Sequence, residues 1–210
     1  MSDRPTIDTI TVADAPLVWR EVGFEVDDHG RCQIGTVMVR LLPGKFPRGL
    51  VGWSVRGLAD GDIDGLPTET SDAAPREPAP AHPNGVVAID HLVVFTADRM
   101  RTAGALEAAG LELRRLRDEA TPAGGGYQAF FRLGEVILEV IEQKKLTAPN
   151  ALFWGLSFLV ESLDPAAALL GDQLSEPRDA VQPGRKIATL RRSAGVAVPM
   201  AFMTPGPGAA

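Results

Sequence analysis

The feature that most constrains the fold is a weak internal repeat in which one strand is followed by a helix and three more strands. The first clear copy begins with an apolar strand at residues 87–95. Thr96 offers a side-chain oxygen that can cap a helix, and Gly110 can end that helix. The unit therefore reads β-α-β-β-β, with further strands predicted at 111–116, 127–133 and 136–141 and a glycine loop at 124–126.

The C-terminal part of the chain repeats this order. Residues 156–160 form a predicted strand. Asp164 followed by Pro165 is a strong helix start, because proline at the first helical position loses no needed hydrogen bond. The middle and last units therefore share one plan, in which Gly171 can end the second helix and later strands are predicted at 186–191 and 196–203.

The first 58 residues follow the plan more faintly, with a short strand at 10–12, a helix at 17–22 and three strand-like segments within 32–55. An acidic, glycine-containing stretch then precedes five prolines, with almost no large apolar residue to offset the entropy of ordering. The predicted organisation is a degenerate module at 1–58, a Pro-rich extended or partly disordered linker at 59–84, and a domain at 85–204 with modules at about 86–145 and 152–203.

Composition and charge exclude several classes of function. With 210 residues the chain can bury a sizeable core. Its net charge of −6 argues against a nucleic-acid partner, since no excess of Lys and Arg is available for phosphates. The clusters Arg114-Arg115 and Arg191-Arg192 are predicted to be solvated strand faces. No apolar run reaches about 18 residues, so no membrane partner is predicted.

The remaining composition bears on location and source. The single cysteine, Cys32, excludes an internal disulfide and a multi-cysteine metal site, and its neighbours favour a packing role. The N-terminal residues contain no apolar signal core, which predicts a cytoplasmic protein. Ala, Gly, Pro and Arg are abundant while lysine occurs at only four positions, a composition that suggests a GC-rich bacterial genome.

Two titratable residues stand on apolar strand faces, and they are the main candidates for function. Side-chain alternation places His91 on one face with Ile89, Val93 and Phe95. Glu139 shares a face with its apolar neighbours two residues away on either side. An imidazole or carboxylate in such a position must be satisfied by a partner, a metal or a pocket. The sequence leaves open a metal pair, a ligand-contacting pair without metal, and a structural hydrogen bond.

The strand Ile89-Asp90-His91-Leu92-Val93-Val94-Phe95, followed by a capped helix and by the strand pair at 130–140 that ends in Leu138-Glu139-Val140, resembles the vicinal oxygen chelate (VOC) superfamily. This superfamily includes glyoxalase I, extradiol dioxygenases, epimerases and bleomycin or fosfomycin resistance proteins. The resemblance covers about residues 86–203. It implies an α+β fold in which paired βαβββ modules form a glyoxalase-like half-open barrel, with a degenerate N-terminal module beside it.

The resemblance also implies a metal site. In metal-dependent members, a His or Gln on the first strand and a Glu on the last strand of each module are ligands. His91 and Glu139 match these positions in the middle module, and they would suit a divalent Zn, Fe, Mn or Ni ion. The ligand set is incomplete, because Leu156 or Ser157 and Pro199 or Met200 fall at the corresponding positions of the last module. The candidates for a third ligand, all expected to be surface residues, are His29, His82, Asp27 and Asp28.

The candidate substrate-binding residues are Tyr127, Phe130, Arg132 and Trp154. The implied function is a glyoxalase-like protein that acts on or binds a small oxygenated molecule, with a divalent metal as Lewis acid in a lyase, isomerase or dioxygenase. The alternative is a metal-free binding, resistance or sequestration protein, so whether the chain is an enzyme stays open. The predicted partner is a small molecule, and a homodimer that completes an odd number of modules stays open as well.

Overall fold

The structure is a computed structural model that describes residues 4–44, 47–119 and 126–207. Gly124 and Gly125 of the predicted glycine loop lie outside the described residues. The helices are α1 (Pro16–Glu21), α2 (Arg99–Ala108) and α3 (Asp164–Leu170). The strands are β1 (Thr6–Ala13), β2 (Arg31–Ile34), β3 (Val37–Leu41), β4 (Gly49–Arg56), β5 (Gly61–Ile63), β6 (Leu66–Thr70), β7 (Val86–Thr96), β8 (Leu113–Arg117), β9 (Gln128–Leu133), β10 (Val136–Glu142), β11 (Leu152–Val160), β12 (Arg178–Asp179), β13 (Lys186–Thr189) and β14 (Met200–Met203).

The two predicted βαβββ modules are present and together form an eight-stranded sheet. Its strand order is β12-β13-β14-β11-β7-β10-β9-β8. In each module the first strand lies parallel to the last, as β7 does to β10 and β11 to β14, and the two modules meet at the antiparallel pair β7–β11. The α+β fold of paired modules is therefore confirmed.

The helices of these modules begin close to the predicted positions. The cap of α2 is Asp98 rather than Thr96, because the Asp98 carboxylate accepts a hydrogen bond from the backbone N–H of Arg101 at 3.0 Å. The hydroxyl of Thr96 instead accepts a hydrogen bond from the backbone N–H of Asp98. The last helix begins at Asp164 with Pro165 in its first turn and ends at Gly171, as the sequence predicts. No helix among the described residues is long and apolar enough to cross a membrane.

The N-terminal part of the chain forms a second, smaller sheet with the order β2-β3-β1-β4-β6-β5. Its strand directions repeat those of the large sheet: β1 is parallel to β3, β4 is parallel to β6, and β1 and β4 form the antiparallel pair at the centre. The small sheet is thus a reduced copy of the large one that lacks two edge strands and one helix. The prediction of one degenerate module at 1–58 was wrong in this respect, because β4 begins a second short module.

The predicted linker begins later than residue 59, because β5 and β6 form a hairpin at the edge of the small sheet. The turn between them is Asp64-Gly65, and both residues have positive φ, 53° and 96°. Asp-Gly between two apolar residues is the sequence signal of a two-residue hairpin turn. The many acidic residues around it suggested a linker, but Ile63 and Leu66 on either side are both buried.

The remaining Pro-rich segment, residues 71–84, contains no helix or strand but is bound to the small sheet along its length. The Arg76 guanidinium donates a hydrogen bond to the Asp8 carboxylate at 2.7 Å, and the Gln33 amide donates one to the Glu77 carbonyl at 2.7 Å. The backbone N–H of Ala79 donates to the Gly35 carbonyl at 3.0 Å. We call residues 71–84 the strap, because side chains and backbone fix it in place.

A single apolar core joins the two sheets. The ring of Phe158 on β11 lies 5.1 Å from that of Phe24, and Trp53 on β4 lies 5.5 Å from Phe153 on β11. Cys32 is buried in this core, and burial raises the pKa of its thiol to about 12. The thiol is therefore protonated at neutral pH, in agreement with the packing role that the sequence favours.

The central strand of each sheet carries the same irregularity. On β7, Asp90 is an extra residue, because His91 pairs with Ser157 while Ile89 pairs with Phe158. On β1, the pairing with β4 shifts between Ile7 and Thr9, so that Asp8 is the extra residue. The motif Ile-Asp-Thr at 7–9 thus corresponds to Ile-Asp-His at 89–91. A bulge re-aims the neighbouring side chains, so Ile89 lies in the core instead of on the face of His91.

Candidate functional site

The large sheet has a cavity of about 360 Å³ on the face that carries His91 and Glu139. The adjacent pairing of β7 with β10 places these two side chains on neighbouring strands, where Ile137 pairs with His91 and Glu139 pairs with Val93. Strands of both modules form the wall, so the cavity depends on the complete pair. Its polar and aromatic lining residues include His91, Glu139, Gln128, Phe130, Trp154 and Ser157.

His91 is buried, and its ring is held against a carboxylate. Its Nδ1 lies 2.5 Å from Oδ2 of Asp90, although neither atom has a hydrogen bond of good angle. The Arg185 guanidinium donates to the other carboxylate oxygen of Asp90 at 3.0 Å. Burial alone would raise the pKa of Asp90, but the neighbouring His91 ring and the hydrogen bond and charge of Arg185 outweigh it and lower the pKa. Asp90 is therefore an anion that lies against the imidazole.

Glu139 lies in the cavity wall with an amide as its neighbour. The Gln128 side-chain amide donates a hydrogen bond to Oε1 of Glu139 at 2.5 Å, and the Arg117 guanidinium donates one to Oε1 of Gln128 at 3.2 Å. Burial raises the pKa of Glu139, and the electrostatic influence of His91 and Arg117 offsets only part of this effect. The protonated form of the Glu139 carboxyl is therefore more favourable in the cavity wall than it would be in water.

Ser157 is a polar residue of the cavity to which the sequence analysis gave no role. It pairs with His91 across the antiparallel strands, and its buried hydroxyl has no hydrogen-bond partner within the described part of the chain. A buried hydroxyl without a partner can accept a hydrogen bond from a ligand or donate one to it. Gln128 and Arg117 were also missed as site residues, although alternation along β9 places Gln128 on the face of Phe130.

The four predicted substrate-binding residues separate into two groups. Phe130 and Trp154 line the cavity, and Trp154 stacks on Phe95 with the ring centroids 4.5 Å apart. Tyr127 does not line it, because it lies against the cations of Arg99 and Lys144 at one end of the sheet. Arg132 does not line it either, since its Nε donates to the Gly134 carbonyl and its side chain borders a neighbouring recess.

The donor set of the cavity does not fit a divalent metal ion. Within residues 4–44, 47–119 and 126–207, no group of three His, Cys, Asp or Glu residues could hold a metal. By strand register the counterparts of His91 and Glu139 in the last module are Ser157 and Met203, which supply no strong ligand. One oxygen of Glu139 is already occupied by the Gln128 amide. Two protein ligands are fewer than catalytic metal sites have.

The candidate third ligands lie elsewhere. Asp27, Asp28 and His29 are exposed in the loop before β2, where the Asp27 carboxylate accepts hydrogen bonds from the backbone N–H groups of His29 and Arg31. His82 was predicted to be a surface residue, and this was wrong. Its Nδ1 accepts a hydrogen bond from the backbone N–H of Glu25 at 3.1 Å, and its ring packs on Phe24 in the core of the small sheet.

Comparison with solved structures supports the fold. A xylose isomerase-like TIM barrel/4-hydroxyphenylpyruvate dioxygenase fusion protein aligns with 100% of this chain at a TM-score of 0.65 and 10% identity, and the chain spans 50% of that protein's length. At this low identity the likeness shows the fold alone.

Two methylmalonyl-CoA epimerases align with part of the chain. The enzyme from Mycobacterium tuberculosis covers 59% of this chain and 91% of its own length, at 17% identity and a TM-score of 0.49. A variant of the Streptomyces coelicolor enzyme in complex with 2-nitronate-propionyl-CoA covers 59% and 96%, at 19% identity and a TM-score of 0.48. No family model and no curated protein matches the chain.

Proposed function

We propose that the cavity of the large sheet binds one small oxygenated organic molecule without a metal ion. The observation that carries this proposal is the convergence of His91, Glu139 and Ser157 in one cavity of about 360 Å³. A concave site with a few converging polar groups on otherwise apolar walls is the usual form of a small-molecule site. Carbonyl, carboxyl or hydroxyl oxygens of the ligand would supply the hydrogen-bond partner that the Ser157 hydroxyl lacks.

Each polar group of the cavity determines which kind of hydrogen-bonding group of the ligand can bind to it. Glu139 in its protonated form donates a hydrogen bond, and in its ionised form it accepts one from a hydroxyl group. His91 has one ring nitrogen turned to Asp90, so the other nitrogen is the one left for the ligand. The aromatic rings of Phe130 and Trp154 supply an apolar contact for the carbon part of the molecule.

Trp154 gives the most direct test of the binding site, because 41% of its surface is exposed and it stacks on Phe95 at the cavity. We expect Trp154→Ala to weaken the affinity for cavity ligands about fivefold or more, since a stacked aromatic contact is worth roughly 1 kcal/mol. The free energy of unfolding should change by about 1 kcal/mol or less. Ligands are found by a thermal-shift screen of small oxygenated acids, ketones and diols, and affinities are measured by calorimetry.

Tyr127→Ala is the matched control, because Tyr127 is 37% exposed and lies outside the cavity. It should leave these affinities unchanged within about twofold. Equal losses for both variants would contradict the assignment of the cavity as the binding site. Elemental analysis of protein purified without an affinity tag tests the metal-free part of the proposal, and one bound divalent metal per chain that is lost in His91→Ala would overturn it.

A second candidate function is proton transfer on the bound molecule. The raised pKa of Glu139, near the imidazole of His91 in a cavity, is the arrangement found in acid–base enzymes. Bound ketones or acids with a C–H bond next to the carbonyl should then exchange that hydrogen for deuterium in heavy water. We expect Glu139→Gln to abolish this exchange even at ligand concentrations that saturate the weaker-binding variant, and NMR of the ligand measures it. Exchange at the parent rate in Glu139→Gln would contradict this role.

A further inference from the structure

An arginine-rich recess of about 500 Å³ borders the cavity. It shares His91, Arg117, Phe130 and Gln182 with the cavity wall, so the two spaces are adjacent. The guanidinium groups that line it come from three places in the chain: the N-terminal segment, the edge strand β8 and strand β9. They belong to Arg4, Arg114, Arg115, Arg117 and Arg132.

The charge of the recess contrasts with that of the whole chain, whose net charge is −6. No acidic side chain lines the recess among the residues that the structure describes. Arg114 pairs with Glu112 at 2.6 Å, so one of the five positive charges is balanced by an exposed carboxylate. Arg132 and Arg117 direct hydrogen bonds to a carbonyl and to an amide oxygen, which leaves their charge uncompensated by these contacts.

The geometry points to a site for an anionic group, and we propose that it is a phosphate carried by the same molecule whose oxygenated part lies in the cavity. This inference rests on the proposed function. Guanidinium groups bind phosphate oxygens in pairs of parallel hydrogen bonds, and several of them around one recess favour a group with two or more negative charges. The concave shape favours a small molecule over a nucleic acid, which follows an extended basic surface.

Arg117 connects the two parts of the site. Its guanidinium lies at both spaces, stacks over the Phe130 ring at 5.9 Å and donates to Gln128, which in turn donates to Glu139. A phosphate bound at Arg117 is therefore two hydrogen bonds away from the carboxyl group of the cavity. A ligand that spans both spaces places its oxygenated end near Glu139 and its anionic end near Arg115.

Inorganic pyrophosphate is the probe for the recess, titrated into the full chain by calorimetry at low ionic strength. We expect one site per chain, an affinity that falls as salt is added, and a loss of about tenfold in Arg115→Gln, whose exposed side chain is not part of the core. Arg191→Gln removes the same charge from an exposed position outside the recess and should stay within about twofold of the parent.

The result that would overturn the inference is the absence of pyrophosphate binding, an equal loss in Arg191→Gln, or full competition by a short DNA duplex. The proposed function is tested separately by cavity ligands that respond to Trp154→Ala. If these bind but pyrophosphate does not, the recess inference fails and the cavity proposal stands. If pyrophosphate binds but phosphorylated forms of the cavity ligands bind no more tightly than the unphosphorylated forms, the claim that one ligand spans both spaces is overturned.

Discussion

Replacing Asp8 with alanine is expected to lower the free energy of unfolding by about 3 kcal/mol, because it removes the shared partner of two arginines in a largely buried network. The Asp8 carboxylate accepts hydrogen bonds from Arg56 on β4 and from Arg76 of the strap, and only 8% of its side chain is exposed. Both guanidinium groups would lose their counter-charge. Denaturant unfolding at neutral pH measures the change.

The control for Asp8→Ala is Glu112→Ala, which breaks an exposed ion pair with Arg114 and should cost about 0–1 kcal/mol. The network also predicts a dependence on pH. Burial alone would raise the pKa of Asp8, but hydrogen bonds and charges from Arg76 and Arg56 lower it below 3.8. This stabilisation is complete above that pH and is lost as the pH falls through the lowered pKa. Similar unfolding energies for parent and Asp8→Ala would contradict the role of the strap.

Glu139→Gln should have opposite effects on stability and on ligand binding. The glutamine keeps an oxygen that accepts the hydrogen bond from Gln128 but carries no charge. Because burial raises the pKa of Glu139 in the folded state, the folded protein binds the proton more tightly than the unfolded chain does. The parent therefore loses stability as the pH rises from about 4.5 through the raised pKa, and the variant does not.

Two measurements check this prediction. Urea unfolding from pH 4 to pH 8 should show that the stability advantage of Glu139→Gln grows as the pH rises above about 4.5. Affinity for cavity ligands that bind the carboxyl group should fall by about tenfold or more, the value of a hydrogen bond to a charged group. Glu161→Gln makes the same change at an exposed position and should alter neither quantity. A stability difference that is the same at every pH would refute the assigned pKa shift.

The sequence predicts the large sheet well because its signals are local. Alternation of apolar side chains identifies β7, β9 and β10, and Asp164-Pro165 marks a helix start by its own chemistry. The same alternation places Phe130 and Gln128 on one side of β9 and Phe131 on the other. His91 and Glu139 meet in one cavity because β7 and β10 are first and last strands of one module.

The small sheet was only partly predictable, because the side-chain alternation that identifies a strand does not show which other strand it pairs with. The run at 49–56 has the same composition whether it closes one module or opens the next. The repeated Ile-Asp-Thr and Ile-Asp-His motifs were the available signal, since both mark the central strand of a sheet. The strap was misread for a related reason: its order comes from long-range hydrogen bonds to Asp8 and Gln33 and from no pattern of its own.

The candidate site shows the same limit. Tyr127 directly before β9 and Trp154 on β11 are both exposed aromatic residues, and only the assembled sheet separates the one outside the cavity from the one that lines it. The Arg114-Arg115 pair was predicted as a solvated strand face, and both residues are indeed exposed. That they border a recess together with Arg4 and Arg132 depends on the closure of the sheet, which a local pattern does not describe.

The small sheet and the large sheet share one architecture, but the residues at their central strand pairs have different surroundings. Thr9 and Ser54 form the pair that corresponds to His91 and Ser157, but the Asp8 beside them is bound to a segment of the same chain. The central strand pair of the small sheet thus contributes to the stability of the fold, whereas the central strand pair of the large sheet lines the cavity. Substitutions around His91 can therefore change the lining of the cavity while the ion-pair network around Asp8, in the other sheet, continues to stabilise the fold.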